Sequence, residues 1–482
     1  LHSFPTRRSS DLTQKNQEDY FPYHFKGIRE AYIFIENIDR VKDIPQEEKD
    51  QMKAEAKVLI ALRYQEMLKR YGAVPVVRHS FTTDDNLKIS RATFQETVDF
   101  IIEMCDEAVP YLPVIQPEQW RGRVTKGVAF ALKSRVLLYA ASPLYNTGST
   151  ILSYSNPEFV SYGNYDIERW KLAVDAAVEA LDWAADPAAQ CYLINTGDPF
   201  KDYGNATSLE DNREVILAHK ASEGSGFNDG IYIQLSSRGL SIPFNFIPHF
   251  RKADGSDQVW DEVDMERRPF ADYTRKMNEL EPRFFQCAWV VGQPPRNFNL
   301  VRNWNFVIGE NIGSSGVRGA ACMVKFHYNY NNEKMKDWIV FRLAEVYLNF
   351  AEAANEYYGP NASVSGTSLT AVSALNVIRK RGGLPELTTN NKDVLRAEIK
   401  RERAVELYAE GHRNFDLRRW KEAEVMGGKF YGLRFVQNSA KNGYDFYYKY
   451  HYETRFWAPN QYFYPFPQTE VDKGYLMQNP GY

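Results

Sequence analysis

Apolar residues recur at three- and four-residue spacing through most of the first 190 positions. That period predicts a scaffold of amphipathic helices. The run 46–70 has no internal Pro or Gly and stops at Tyr71-Gly72, the ending expected of a long helix. Thr93 and Glu96 make a capping box ahead of a stripe formed by Phe94, Val98, Ile101, Cys105 and Ala108. Thr125 opens a run that reaches Ala141 before Pro143, and Asp166 opens another through Trp170, Ala173, Val174, Ala177 and Leu181. Small residues on these stripes let paired helices approach closely.

The pattern changes over about 195–332, which is rich in Gly, Asn, Ser and Pro and holds short alternating pieces at 214–219 and 230–234. This reads as loops and short strands packed on the helical frame, the usual place for binding. Helical spacing returns over 336–358, 368–380 and 392–423, and the Gly-Gly-Leu-Pro after Arg381 stops the second run. The chain from 427 onward is aromatic and irregular, with Pro465, Pro467 and Pro480 keeping it extended. The expected fold is mainly α, with tetratricopeptide-like helical hairpins in a superhelical scaffold and a loop-rich region containing short strands. No fixed period of about 34 residues marks the hairpins. Residues 13–482 are expected to form one domain with a helical part at 43–190, a loop-rich ligand-binding insertion at 195–332 and a C-terminal part at 333–482. The opening LHSFPTRRSSDL shares no pattern with the rest of the chain and reads as a non-native assembly artefact over residues 1–12.

The densest chemistry lies in AEIKRERAVELYAEGHRNFDLRRW at 397–420. Glu402, Glu406 and Glu410 recur every four residues, on the helical face that carries Leu395 and Ile399 upstream. An apolar stripe thus runs directly into carboxylates, among Arg401, Arg403, Arg413, Arg418 and Arg419 with Asp416 between them. Charge on a core-facing stripe is costly unless paired and hydrogen-bonded. The segment therefore predicts an ion-pair lattice that clamps helices. Arg135 sits between Leu132 and Tyr139 in an apolar helix and needs a carboxylate, because a guanidinium cannot shed its charge. Arg342, Glu345 and Glu352 pose the same requirement on the 336–358 run, Arg342 and Glu345 at i,i+3 spacing. The expected lattice is Arg135, Arg342, Glu345, Glu352, Glu402, Glu406, Glu410, Arg413 and Asp416.

Composition narrows the function. A net charge of −3 argues against nucleic acid or an anionic membrane surface as main partner. The four cysteines have no zinc-ligand spacing and imply no disulfide framework; Cys105 lies on an apolar stripe and reads as inert. No apolar run approaches the roughly 18 residues of a membrane span. No metal or cofactor is expected. The chain holds 31 Tyr, 29 Phe and 9 Trp, and any ring that escapes the core offers a flat face to neutral, hydroxyl-rich ligands. Candidate contacts, chosen by residue type, are Phe81, Asp84 and Asn86 (beside Asp85) in the loop after Val77, then Arg302, Asn303, Trp304 and Phe306, then Trp260. The Asp-Gly-Ser-Asp run before Trp260, at 254–257, lacks the acidic ladder and distal Glu of an EF-hand loop.

Five motifs resemble the SusD/RagB family, glycan-binding surface lipoproteins of Bacteroidetes. RYGAVPVV at 70–77 looks like the family's YGxVPxV turn, and ALKSRVLLYAASPLYN at 131–146 is close to ALKARVLLYAASPLYN. FRLAEVYLNFAEA at 341–353 is similar to RLAEVYLNYAEA, and 402–420 matches ERxxELxxEGxRxxDLxRW. YPFP at 464–467 and QNPGY at 478–482 resemble the closing YPIP and QNPGY pair. The resemblance spans 43–482. It implies a non-enzymatic nutrient-binding protein, lipid-anchored on the outer face of the outer membrane. Such a protein would take oligosaccharide or polysaccharide, or peptide as in some members, and deliver it to a SusC-like TonB-dependent transporter. Any signal peptide and lipid-bearing Cys would lie upstream of this chain.

Two other classes compete. A glycosidase would need two carboxylates about 5 to 10 Å apart. Glu402, Glu406 and Glu410 with His412 could supply them, but arginine neighbours lower the pKa of these carboxyls and make them poor general acids. Hydrolase, zincin and phosphate-loop signatures are missing from the sequence. A tetratricopeptide scaffold would instead put its exposed contacts on a concave helical face.

Overall fold

The computed structural model describes residues 20–220, 241–291, 318–326, 337–440 and 442–482. Its first half is a series of long helices, α1 (Phe21–Asn37), α2 (Gln46–Tyr71), α3 (Phe94–Ala108), α4 (Lys126–Ala141) and α5 (Glu168–Ala185). Sequence neighbours pack as hairpins, α1 on α2, α2 on α3 and α4 on α5. Thr93 and Glu96 cap α3 reciprocally, side chain to backbone N–H in both directions, which satisfies donors that the first turn leaves free. At the end of α2, Gly72 has φ +74°, and a Cβ there would lie 2.8 Å from the Phe159 carbonyl oxygen. Only glycine fits that turn. α4 approaches α5 at Gly127, where a Cβ would lie 2.3 Å from the Trp183 ring. Periodicity did not single out α1, which buries Phe21, Ile28 and Tyr32.

After α6 (Pro199–Ser208) the chain enters β1 (Val215–Lys220), then β2 (Ser241–Ile242), β3 (Arg268–Pro269), α7 (Phe270–Asn278), α8 (Pro282–Cys287), β4 (Ala288–Trp289) and β5 (Ala321–Met323). The short strands pair in the order β2-β5-β4. The expected helix over 336–358 is two elements. β6 (Asp337–Arg342) pairs antiparallel with β1, and only then does α9 (Leu343–Tyr357) begin. Trp338, Ile339, Val340 and Phe341 suit a pleated surface, and the edge of β1 supplies the partner that overrides helical spacing.

α10 (Ala371–Arg381) packs on α9, followed by α11 (Lys392–Glu406) and α12 (Arg413–Arg419). The expected continuous helix over 392–423 is therefore broken between them, with Ala409 at φ +62° and Gly411 at φ +86°. The tail from 427 is also not irregular throughout. β7 (Gly428–Gln437) and β8 (Tyr444–Arg455) form a long antiparallel hairpin, joined at its edge by β3. Aromatic residues on both faces hid its two-residue period.

Two apolar cores result. The large one gathers α1–α5, α9 and α10 with Leu395 and Ile399 of α11 and Tyr462, Phe463 and Phe466 of the tail. The small one gathers Tyr203, Ile247, Phe250, Tyr273 and Phe284 with Leu433, Phe435 and Tyr447 of the hairpin and Val405 of α11. α11 thus enters both cores. The tail is clasped to the end of α2. Tyr464 N donates to Arg70 O at 2.7 Å, and Asn479 Nδ2 donates to Tyr71 O at 2.9 Å. Gln478 accepts from Phe466 N at 2.8 Å and donates to its carbonyl at 3.0 Å.

Candidate functional site

The charged residues of 397–420 lie in the seam between the two cores. Glu406 is fully buried and accepts from three arginines, Arg342 Nη1 at 2.6 Å, Arg283 Nη1 at 2.9 Å and Arg381 Nη2. Arg283 also donates to Glu402 and Glu281. Arg342 and Arg381 share Glu214 on the strand side, each at 2.9 Å. Glu410 accepts from Arg342 Nε and Lys325 Nζ, both at 2.7 Å. Burial alone would raise the Glu406 carboxyl, but Arg381, Arg342 and Arg283 hold it well below the usual carboxylate range. Glu410, likewise buried, is brought down to about 2 by Arg342 and Lys325. Glu281 goes the other way: burial and the neighbouring Glu402 outweigh Arg283 and raise it.

A second group is neighbouring. Arg419 donates to Glu352 at 2.5 and 2.7 Å and to Asp416 at 2.8 Å, while Arg403 reaches Asp416 at 3.1 Å and Asn349 at 2.7 Å. Trp420 Nε1 adds a hydrogen bond to Glu352 at 2.7 Å. In a third group, Arg135 clasps Glu345 through two hydrogen bonds of 2.6 Å. His412 Nε2 lies 3.9 Å from Glu345, but burial lowers the imidazole to about 4, so it is neutral near pH 7.

The structure thus brings eight of the nine sequence-selected lattice residues into buried ion pairs, with two corrections of detail. Arg342, which ends β6, pairs as expected with Glu406 and Glu410, and also with Glu214, whereas Arg135 and Glu345 pair with each other and not with an arginine or acid of 402–419. Arg413 is outside the lattice: it is half-buried at the start of α12 and meets His249 Nε2 at 3.1 Å. Glu214, Arg283, Lys325 and Arg381 were missed. Each lies on a different element from 397–420, and no local spacing links them to it.

The candidate ligand contacts separate. Phe81 is half-buried against the large core, its ring edge-on to His79 at 5.0 Å, and Asp84 and Asn86 are exposed on the same loop. Tyr64 fixes the start of that loop by accepting from Val77 N at 2.8 Å. Trp260 instead packs edge-on to Phe244 at 5.5 Å against the small core, so the structure uses this ring for packing. Arg302, Asn303, Trp304 and Phe306 lie outside the described residues. In the 254–257 turn, Asp257 pairs with Arg251 and Arg401, and Asp254 accepts from the Ser256 N–H and hydroxyl. Among the described residues, no group of three or more metal-ligating side chains occurs.

A small open cleft of about 90 Å³ lies apart from these groups. Its walls are the connection from α3 to α4 around 114–125, the turn after α5 at Ala189, Gln190 and Cys191, and β1 with the start of β6. Asp211, Arg213, Lys220 and Asp337 line one side; Gln116, Arg121 and Arg123 line the other. Trp120, next to Arg121, is 53% exposed, and the Arg123 guanidinium lies 5.2 Å from its ring centre.

Comparison with known proteins adds a family to this geometry. Residues 213–482 match the model of the SusD family, and residues 4–138 match one described as starch-binding, associating with outer membrane. The chain is 23% identical over 421 residues to SusD-like protein P25 of Formosa agariphila, covering 82% of this chain and 68% of that protein. Among solved structures, it is similar to a SusD-like protein from Bacteroides fragilis, with a TM-score of 0.75 and 24% identity over 98% of this chain and 86% of that one. A laminarin binding SusD-like protein shares the fold at a TM-score of 0.60 and 20% identity, over 96% of this chain and 85% of that one. Among the described residues no helix is long and apolar enough to cross a membrane.

Proposed function

The chain belongs to the SusD family, and from that membership we propose that it is a non-catalytic glycan-binding protein of the cell surface. In this reading it is held at the outer membrane by a lipid anchor and hands oligosaccharide to a SusC-type TonB-dependent transporter. The description of the family model over 4–138, starch-binding and outer-membrane associating, supports the ligand class and the location.

The observation that carries the non-catalytic part is how the acids are engaged. Glu345, Glu352, Glu402, Glu406, Glu410 and Asp416 each accept from an arginine or lysine. A glycoside hydrolase needs one carboxyl held protonated beside a second that stays free to act. Glu281 is raised by its surroundings, but it is buried and joined to Arg283 at 2.6 Å. The acids therefore serve the scaffold and leave recognition to exposed rings and amides. By residue type, the loop with Phe81, Asp84 and Asn86, and the segment with Arg302, Asn303, Trp304 and Phe306, belong to the ligand surface.

The test is a glycan array probed with the purified chain, with the bound sugars then recovered and sized by chromatography. Binding with intact recovery is expected. Shortened products would overturn the reading, as would retention of peptides with no glycan bound. Co-purification with a detergent-solubilised SusC-type transporter tests the partner.

A further inference from the structure

We propose that the cleft between the 114–125 connection and β1 is a binding subsite for the anionic group of a charged saccharide, a carboxylate or a sulfate, anchored by the Arg213 guanidinium. This rests on the saccharide-binding reading and names the class of sugar.

Most charges in the cleft are already paired. Arg123 Nε donates to Glu55 at 2.8 Å. Lys220 bridges Asp211 and Asp337, reaching Asp337 at 3.3 Å, and Asp337 also accepts from Asp211 N at 3.0 Å. Burial would lower the Lys220 ammonium, but the two carboxylates outweigh it and raise it. Arg121 reaches Glu118 at 3.2 Å, an acid exposed at the surface, and stands 3.9 Å from Asp211. Arg213 differs from all of these. It is half-buried, lines the cleft, and its guanidinium has no hydrogen bond or ion pair among the described residues. A guanidinium carries five donors and cannot be neutralised, so partial burial without an acceptor is unfavourable. A carboxylate or sulfate supplies two oxygens in the geometry that its planar fork matches.

The surroundings suit a sugar more than a free anion. Trp120, the exposed residue before the lining Arg121, offers an indole, and Gln190, also exposed, lines the cleft.

The experiment titrates the full chain with tetragalacturonate, a sulfated carrageenan tetrasaccharide and maltotetraose by calorimetry, at two salt concentrations. The two anionic probes separate carboxylate from sulfate as the source. At least one anionic probe should bind, more weakly at high salt. Arg213→Ala should weaken that binding about tenfold, the worth of one charge-assisted contact. Arg213→Gln keeps the chain length without the charge and should act alike, and Trp120→Ala, a surface change, should also weaken it. Maltotetraose binding should be the same for Arg213→Ala and wild type. Anionic binding unchanged in both Arg213 variants overturns the subsite. So does binding of maltotetraose alone, which leaves the saccharide reading standing; an array on which no glycan binds removes both.

Discussion

Glu406→Ala tests the seam between the cores most directly. Arg283 would keep Glu402 and Glu281, and Arg342 would keep Glu214 and Glu410, but Arg381 would keep only Glu214. Removing one partner of a buried pair costs about 3–5 kcal/mol. The retained acceptors argue for the low end, about 3 kcal/mol, and the void left at a fully buried position adds on the order of 1 kcal/mol. The expected loss, about 4 kcal/mol, is a quarter or more of the roughly 5–15 kcal/mol that holds a typical domain. Glu406→Gln keeps the volume and one acceptor oxygen and should lose about 2 kcal/mol. The measurement is equilibrium urea unfolding, with the midpoint shift read at constant slope. Asp175→Ala is the control, because its pair with Lys171 is exposed and i,i+4; it should change stability by less than about 0.5 kcal/mol. A Glu406→Ala midpoint no further from wild type than that control would refute the reasoning.

Acid should destabilise the protein in two stages. Burial lowers His24, His249 and His412 to about 4, so the unfolded chain binds their protons first and stability falls from about pH 6.5 toward 4. The depressed carboxyls of Glu406, Glu410 and Asp416 add a further loss from about pH 4.5 downward, continuing to about pH 2 for Glu410; melting temperature against pH reads both stages, and a flat profile from 6.5 to 3 would contradict the assignment. Gly127→Ala forces a methyl against the Trp183 ring and should cost about 1–3 kcal/mol in urea unfolding, whereas Gly163→Ala, with open space around its Cβ but φ +72°, should cost about 1 kcal/mol through backbone strain alone. Asn479→Ala removes donors to Tyr71 O and Tyr464 O and should lower the melting temperature by several degrees, a loss of about 1–3 kcal/mol; faster proteolysis of the C-terminal tail would accompany it.

What the chain states locally was legible without coordinates. The apolar period marked α2 through α5, and the cap before Phe94 was visible as Thr93 and Glu96, because helices and caps are set by residues within one or two turns. The paradox of acids on a core-facing stripe was equally local, and it pointed correctly to burial with arginine. The partners of those acids were not local. Arg283 and Lys325 come from the loop-rich region, Glu214 precedes β1, and Arg381 ends α10. Tertiary packing alone decided that Arg342 would close a strand, that α11 would break so that Glu410 could turn back to Arg342, and that β7 and β8 would pair. It also decided which rings stay in water, packing Trp260 against the small core and leaving Trp120 outside. Periodicity reports which face of an element is buried, whereas pairing, breaks and exposure depend on what arrives from elsewhere in the chain to meet that face.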